Sequence, residues 1–135
     1  MMHRVVYAAT VLGATATPAT MRAVVVSGGA PEADFSKVKV VEDYPVPTPG
    51  EGQVLIKAVA SSINPVDWKI MENPGLWPAV PGFDLAGVVE SLDEKNCHRF
   101  KKGDEVWADL GKGIGSPHMQ LGAWAEYAVA DCSQV

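Results

Sequence analysis

The sequence predicts a mainly β fold, a barrel or sandwich of about six or seven short strands with one brief helical insert. Short apolar runs alternate with polar residues along much of the chain. Turn-forming residues separate these runs, with 13 glycines and 10 prolines among 135 residues. A hydrophobic content of 47% over this length is enough for the core of one domain.

The N-terminal half contains the clearest strand patterns. Residues 22–26 form an apolar run, and residues 37–41, which alternate, are predicted to pair with it as a hairpin-like neighbour. Prolines at 45, 47 and 49 remove three backbone donors, so that segment is predicted to be an extended edge or a surface segment. After a turn at 49–52, residues 53–60 form a strand on which Val54, Ile56 and Ala58 share one face.

A short helix and three further strands follow. Pro65 suits the first turn of a helix, with Asn64 or Ser62 placed to cap it, and Asn73-Pro74-Gly75 ends it. The later predicted elements are strands at 84–91, 105–108 and 124–130, and a glycine-rich loop at 111–122.

Charge and cysteine content limit the classes of partner. The net charge of −5 argues against nucleic acid or an anionic membrane. No run reaches the roughly 18 apolar residues that a membrane-spanning helix needs, so no membrane span is predicted. Cys97 and Cys132 form no CxxC motif, and the sequence predicts no disulfide framework, which fits a reducing compartment.

Residues 1–20 differ from the rest of the chain. Alanine and threonine dominate them, and the first acidic residue is Glu32. Three interpretations stay open: an irrelevant extension before a start at Met21, an organellar transit peptide, or a secretory signal cleaved near residues 14–16. The chain is therefore divided into an extension or targeting segment, 1–20, and one domain, 21–135. The predicted location is the cytoplasm or an organelle.

Several chemical motifs are weak. The glycines at 111–115 have neither GxGxxG nor P-loop spacing. Ser116, His118 and Asp109 match a catalytic triad by residue type only, because no nucleophile elbow surrounds the serine. The three histidines form no i, i+4 pair and have no cysteine cluster nearby, so no metal site is predicted.

Residues 64–69 are a stronger candidate site. They place an amide (Asn64), a carboxylate (Asp67), an indole (Trp68) and an ammonium (Lys69) where a strand gives way to a helix. A structural interpretation is equally good, with Asn64 as cap, Asp67 favouring the helix N-terminus and Trp68 packing. The residues alone leave both interpretations open.

Residues 81–89, Pro-Gly-Phe-Asp-Leu-Ala-Gly-Val-Val, are the most informative stretch. Two glycines and a proline interrupt an apolar strand that also contains an acid. This composition suits a backbone that comes close to another group.

From Met21 to Val135 the chain resembles the N-terminal GroES-like catalytic domain of medium-chain dehydrogenase/reductases. The resemblance rests on the order and spacing of six motifs, at 45–50, 53–57, 64–67, 81–89, 100–106 and 122–127. It implies a mainly β fold, a GroES-like partly open β-barrel with one or two short helices.

Departures from the zinc-dependent members of that family indicate a branch. Those enzymes carry a metal-binding cysteine near the position of Asn64 and a His-Glu pair at Phe83-Asp84. Phe83 cannot bind zinc, and the four-cysteine structural lobe is missing. The chain therefore resembles the zinc-independent, quinone oxidoreductase-like and enoyl reductase-like enzymes.

That branch implies NADPH-dependent hydride transfer to a quinone or an α,β-unsaturated carbonyl compound. The residues that the resemblance assigns to catalysis are Asn64 and Asp67. Asn64 is also assigned to the cofactor, and Trp68, Phe83 and Asp84 to the substrate cleft. Without a metal, hydrogen bonds and shape must polarise the carbonyl group.

The family's cofactor-binding Rossmann domain is missing from these 135 residues, which contain no GxGxxG fingerprint. We therefore expect the chain to be inactive unless that domain is supplied. The alternative is a non-enzymatic GroES-like binding module. Apolar surface near Trp124 and Tyr127 is expected to be exposed.

Overall fold

The computed structural model describes residues 16–26, 35–71, 80–111 and 122–135. The helices in these ranges are a 3-10 turn (Phe35–Lys37) and α1 (Pro65–Met71). The strands are β1 (Thr20–Val26), β2 (Val38–Pro45), β3 (Gln53–Ser61), β4 (Asp84–Leu92), β5 (Glu105–Asp109) and β6 (Tyr127–Asp131). The predicted end of the helix at 73–75, and the loop at 112–121 with Ser116 and His118, lie outside the described residues.

The strands form two antiparallel sheets. β1 pairs with β2, as the alternation predicted, and the other four strands follow the order β5-β4-β3-β6. The sheets meet where β1 passes the segment before β6. There the N–H of Val24 donates to the carbonyl of Trp124 at 2.9 Å, and the N–H of Glu126 to that of Arg22 at 3.1 Å. The predicted mainly β, GroES-like fold is confirmed, and the sheets stay open.

β3 lies at the centre of the core. Val54 and Ile56 have no exposed surface and pack in one cluster with Val89 of β4. Leu55, on the other face, packs with Tyr127 in a second cluster. Because both faces of β3 are covered, this strand fixes the positions of its neighbours.

The glycines of the 81–89 stretch allow two close approaches. Gly82 has a φ of 99°, and a Cβ there would overlap the indole of Trp124. A Cβ on Gly87 would overlap the carbonyl oxygen of Lys57, which precedes Ala58, the residue paired with Gly87 on β3. Side chains at these positions would therefore separate β4 from its neighbours.

The exposed apolar surface expected near Trp124 and Tyr127 does not include the ring of Tyr127. Tyr127 is only 7% exposed, because its ring packs in the second core cluster. Trp124 is partly buried, and its indole N–H donates to the carbonyl of Ser62 at 3.0 Å. Among the described residues the exposed large apolar side chains are Val40, Val59, Ile63, Trp68 and Trp107.

The expectation of no disulfide framework is wrong. Cys97, in the turn after β4, is bonded to Cys132, directly after β6, with 5.7 Å between the Cα atoms. The two cysteines are 35 residues apart in sequence, and only the pairing of β4 and β6 on either side of β3 brings them together. Unpaired cysteines were the argument for a reducing compartment, and this argument therefore no longer holds.

One predicted strand divides into two parts. Residues 124–130 were expected as one strand, but β6 covers Tyr127–Asp131 and only Ala125 forms a bridge before it, to Ala23 of β1. Residues 124–126 pair with β1, whereas β6 pairs with β3. In the part of the chain that the structure describes, no helix is long and apolar enough to cross a membrane.

Candidate functional site

Three elements converge at one end of the larger sheet: the end of β3, the start of α1 and the start of β4. The antiparallel register pairs Ser61 with Leu85, so the chain leaves β3 beside the point where β4 begins. The N–H of Ser62 donates to the carbonyl of Asp84 at 3.3 Å, which continues the pairing by one residue. The loop at 62–64 is therefore fixed against β4.

The start of α1 is capped by Asp67. Its Oδ2 accepts the N–H of Asn64 at 2.6 Å, while its own N–H donates to the carbonyl of Asn64 at 3.0 Å. This is the reverse half of a capping box, in which the third helical residue reaches back to the cap position. Asn64 occupies the cap position as expected, but its side chain takes no part in the capping bonds.

The amide of Asn64 points instead to β4. Its Nδ2 donates to Oδ2 of Asp84 at 2.7 Å and to Oγ of Ser62 at 2.9 Å. The hydroxyl of Ser62 donates to the same Asp84 oxygen at 3.2 Å. We call Ser62, Asn64 and Asp84 the amide–carboxylate cluster.

A cavity of about 260 Å³ opens beside this cluster. The residues that line it are Asn64, Val66, Phe83, Asp84, Asp109 and Gly111. Phe83 is 4% exposed and forms a wall, and its ring lies so close to Gly111 that a Cβ there would overlap it. Asp109 pairs with Asp84 across β4 and β5, which places both carboxylates at the same end of the sheet.

Asp67 lies behind this cavity. It is 1% exposed, and its Oδ1 has no hydrogen-bond partner among the described residues. Burial raises the pKa of this carboxyl, the backbone N–H groups of Asn64 and Phe83 act in the opposite direction, and the negative charge of Asp84 raises it further. The group that contacts the cavity is therefore Asn64, which Asp67 holds in place.

Trp68 lies apart from the cavity. Its side chain is 38% exposed, and the ammonium of Lys69 lies 5.7 Å from the centre of its ring. Of the sequence-predicted site residues, the structure thus brings together Asn64, Phe83 and Asp84, places Asp67 behind them and leaves Trp68 on the surface.

Sequence reasoning missed two polar members of the site. Ser62 was considered only as a helix cap, and Asp109 only as part of a triad. The predicted strands 84–91 and 105–108 held the signal for Asp109. If the two strands pair antiparallel, the start of the first lies beside the end of the second, which brings Asp84 and Asp109 to the same end of the sheet. Within the described ranges, no three His, Cys, Asp or Glu side chains are close enough to hold a metal ion.

A larger groove of about 660 Å³ lies between β1, β2 and the end of β3. Apolar side chains such as Val59 and Ile63 line much of it. Its charged residues, Arg22 and Glu126, pair with each other at 3.0 Å. The smaller cavity is therefore the better candidate for polar chemistry.

Residues 50–135 match the alcohol dehydrogenase GroES-like domain. The chain belongs to this family. Its relatives identify the quinone oxidoreductase-like branch of the medium-chain dehydrogenase/reductases, as the motifs indicated. A chloroplastic quinone-oxidoreductase of Triphysaria versicolor is 41% identical over 117 residues, which cover 82% of this chain and 32% of the relative.

Two further similarities agree with this assignment. A chloroplastic NADPH-dependent alkenal/one oxidoreductase of Arabidopsis thaliana is 37% identical over 101 residues, 70% of this chain and 25% of the relative. A mycobacterial structure complexed with NADPH superimposes with a TM-score of 0.65 and 30% identity, over 85% of this chain and 31% of the other. The chain thus spans about a third or less of the length of these proteins.

Proposed function

We propose that this chain forms the substrate-binding part of an NADPH-dependent, zinc-independent oxidoreductase that reduces quinones or α,β-unsaturated carbonyl compounds. The observation that carries the proposal is the cavity in which Asn64 and Asp84 lie beside the wall formed by Phe83. The names of the relatives, a quinone-oxidoreductase and an NADPH-dependent alkenal/one oxidoreductase, support the substrate class and the cofactor.

Zinc independence rests on the chemistry of the lining residues. Zinc sites in proteins use cysteine, histidine and carboxylate ligands, usually with at least three from the protein. Of the described residues that line the cavity, Asp84 and Asp109 offer two carboxylates, whereas Phe83 contributes a hydrocarbon ring. Both cysteines of the chain are bonded to each other at the other end of the sheet. Among the described residues, the donor set of the cavity therefore does not fit zinc.

The cavity fits one end of the proposed cofactor. The polar side chains that the described residues contribute are an amide and two carboxylates, which suit the carboxamide of a nicotinamide ring and would repel phosphate groups. At about 260 Å³ it is slightly smaller than most ligand pockets, so it would enclose only part of a dinucleotide. When bound, NADPH supplies the hydride.

The chain's own residues bind and orient in this proposal. Asn64 contacts the cofactor, Phe83 closes the cavity against water, and Asp84 holds Asn64. Asp67 fixes the start of α1 from behind. Trp68 lies apart from the cavity on the exposed side of α1, so its assignment to the substrate cleft stays a prediction.

The proposal is tested by restoring the remaining domain. A fusion of residues 21–135 to the cofactor-binding domain of the Triphysaria relative should oxidise NADPH in the presence of a simple quinone or an enone. The chain by itself should bind NADPH no more tightly than about millimolar. Asn64→Ala in the fusion should lower the rate, whereas Lys95→Ala, in a distant turn, should not.

A fusion that folds and binds NADPH but reduces neither substrate would contradict the proposal, and so would tight NADPH binding by the chain alone. Metal analysis provides a separate check. We expect no stoichiometric zinc in the purified chain, and one zinc per chain would overturn the assignment to the zinc-independent branch.

We also propose that the protein is located in an organelle. Both curated relatives described above are named chloroplastic, which supports this location. Residues 1–20 would then act as a transit segment. A fluorescent protein fused after residue 20 should enter the organelle, and cytoplasmic fluorescence would contradict this proposal.

A further inference from the structure

The amide of Asn64 can face Asp84 in only one orientation. A carboxylate oxygen is an acceptor only, whereas a side-chain amide has a donating nitrogen and an accepting oxygen. The amide atom nearest to Asp84 lies 2.7 Å from its Oδ2. If the amide were reversed, two acceptor oxygens would meet at that distance and repel each other. The nitrogen of Asn64 therefore faces Asp84.

Ser62 uses the second hydrogen of the amide. Its hydroxyl hydrogen is donated to Asp84, which leaves a lone pair to accept from Asn64 at 2.9 Å. Ser62 is itself held at both backbone groups, since its N–H donates to Asp84 and its carbonyl accepts from the indole of Trp124. Both hydrogens of the Asn64 amide are thus occupied.

The cavity therefore presents acceptors. Oδ1 of Asn64 takes part in none of the hydrogen bonds among the described residues. The other polar side chains that line the described part of the cavity are the carboxylates Asp84 and Asp109. The nearby N–H of Gly111 is occupied, because it donates to Asp109 at 2.8 Å. A carbonyl oxygen or a phosphate would meet no donor from these side chains.

We propose that Ser62 and Asp84 are positioning residues that hold Asn64 with its carbonyl oxygen toward the ligand, so that this subsite takes a hydrogen-bond donor and not the carbonyl oxygen of the substrate. This inference rests on the proposed function for the identity of the donor, which would be the primary carboxamide of the nicotinamide ring. The carbonyl group of the substrate is then polarised by groups other than Asn64.

The orientation of Asn64 is tested by NMR of its side-chain NH₂ group in the 135-residue chain. Hydrogen exchange with solvent should be slow in the unaltered protein. Asp84→Ala should accelerate it roughly tenfold, because a charge-assisted hydrogen bond is lost, and Ser62→Ala should accelerate it less. Fast exchange in the unaltered protein, or no change in either variant, would overturn the positioning role.

Asn96 is an internal control for this experiment. Its Nδ2 donates to Oδ2 of Asp93 at 2.6 Å, far along β4 from the cavity. Exchange at Asn96 should stay unchanged in both variants, which also verifies that they fold. If Asp84→Ala does not fold, Ser62→Ala decides the question.

The ligand class is tested by titrating the chain with nicotinamide and, at equal concentration, with N,N-dimethylnicotinamide, which is also neutral but lacks the NH₂ donor. Nicotinamide should shift the Asn64 signals several-fold more than the dimethyl compound. Equal shifts, including none from either compound, would overturn the donor assignment. None of these measurements needs turnover, so a fusion that fails to reduce quinones would contradict the proposed function and leave the orientation of Asn64 standing.

Discussion

The two ends of the β3–β4 pair differ in how they are held together. At the site end, β3 leads into Ser62 and Asn64 while β4 starts at Asp84, and side-chain hydrogen bonds join them. At the other end, which we call the disulfide end, the bond between Cys97 and Cys132 joins the turn after β4 to the residue after β6. The larger sheet thus combines an end where a covalent bond links β4 to β6 with an end where acceptor groups stay available to a ligand.

A carboxylate at each end shows the difference. Asp93, at the disulfide end, accepts the N–H of Gly52 at 2.8 Å and the amide of Asn96 at 2.6 Å. The bonds from Asn96 and Gly52 lower the pKa of Asp93. Burial raises the pKa of Asp67 at the site end, where one oxygen has no partner among the described residues. The disulfide end therefore stabilises the charged form of its acid, and the site end disfavours it.

The largest expected effect comes from removing the disulfide. Replacing both Cys97 and Cys132 by serine should lower the free energy of unfolding by roughly 3–4 kcal/mol, because a loop of this length is freed in the unfolded chain. Denaturant unfolding measures the loss. A reductant should have a similar effect on the unaltered protein and none on the double variant. If the Asn64 amide signals also changed, the two ends would not be independent.

Gly87→Ala should have the next largest effect. Its Cβ would overlap the carbonyl of Lys57 between the two ends, which should cost about 2–3 kcal/mol as β3 and β4 move apart. Gly52→Ala is a matched control, because Gly52 has open space around it and only a φ of 69° to limit substitution. The control should lose about 1 kcal/mol. Equal losses would show that the close approach to Lys57 is unimportant.

Asp67→Asn should change how the free energy of unfolding depends on pH more than it changes the magnitude of that free energy. Because the pKa of Asp67 is raised in the folded protein, the folded state holds a proton that the unfolded chain has released, so stability falls as pH rises from about 4 through the folded pKa. The neutral variant should lose this decline. Its stability relative to the unaltered protein should therefore increase between pH 3 and pH 7. Asp67→Ala, which removes the cap, should cost about 1 kcal/mol.

Asp93→Asn should change the pH dependence of stability in the opposite direction to Asp67→Asn, and its effect should be the smallest of the four. The pKa of Asp93 is lowered in the folded protein, so its stabilising contribution is complete above about pH 4 and is lost as pH falls through the folded pKa. The variant should be less stable than the unaltered protein at pH 7, and the difference should shrink in acid. Thermal unfolding across this pH range compares the two aspartates, and parallel profiles would contradict the contrast between the ends.

The sequence predicted those features that depend on neighbouring residues. The apolar run at 22–26 and the alternation at 37–41 predicted the β1–β2 pair, and Pro65 predicted the start of α1. The glycines at 82 and 87 predicted close backbone approaches, which the structure contains. Each of these follows from backbone conformation or periodicity within a few residues.

Features that depend on register between distant strands could not be predicted in this way. The disulfide requires β4 and β6 to flank β3, and the burial of Tyr127 requires the face of β6 that meets Leu55. The orientation of the Asn64 amide depends on Asp84, twenty residues away. A pattern within a few neighbouring residues carries no information about contacts between residues this far apart in the sequence.

The disulfide has a consequence for the order in which the sheet is completed. Cys132 follows β6, the last of the described strands, and Gln53 pairs with Asp131, the residue before Cys132. A slip of one residue along β3 would move Cys132 by about 3.3 Å and turn its side chain to the opposite face. The disulfide can therefore form only in chains in which β6 already pairs with β3 in the correct register. The rate at which the oxidised form appears during refolding thus reports the rate of correct strand pairing.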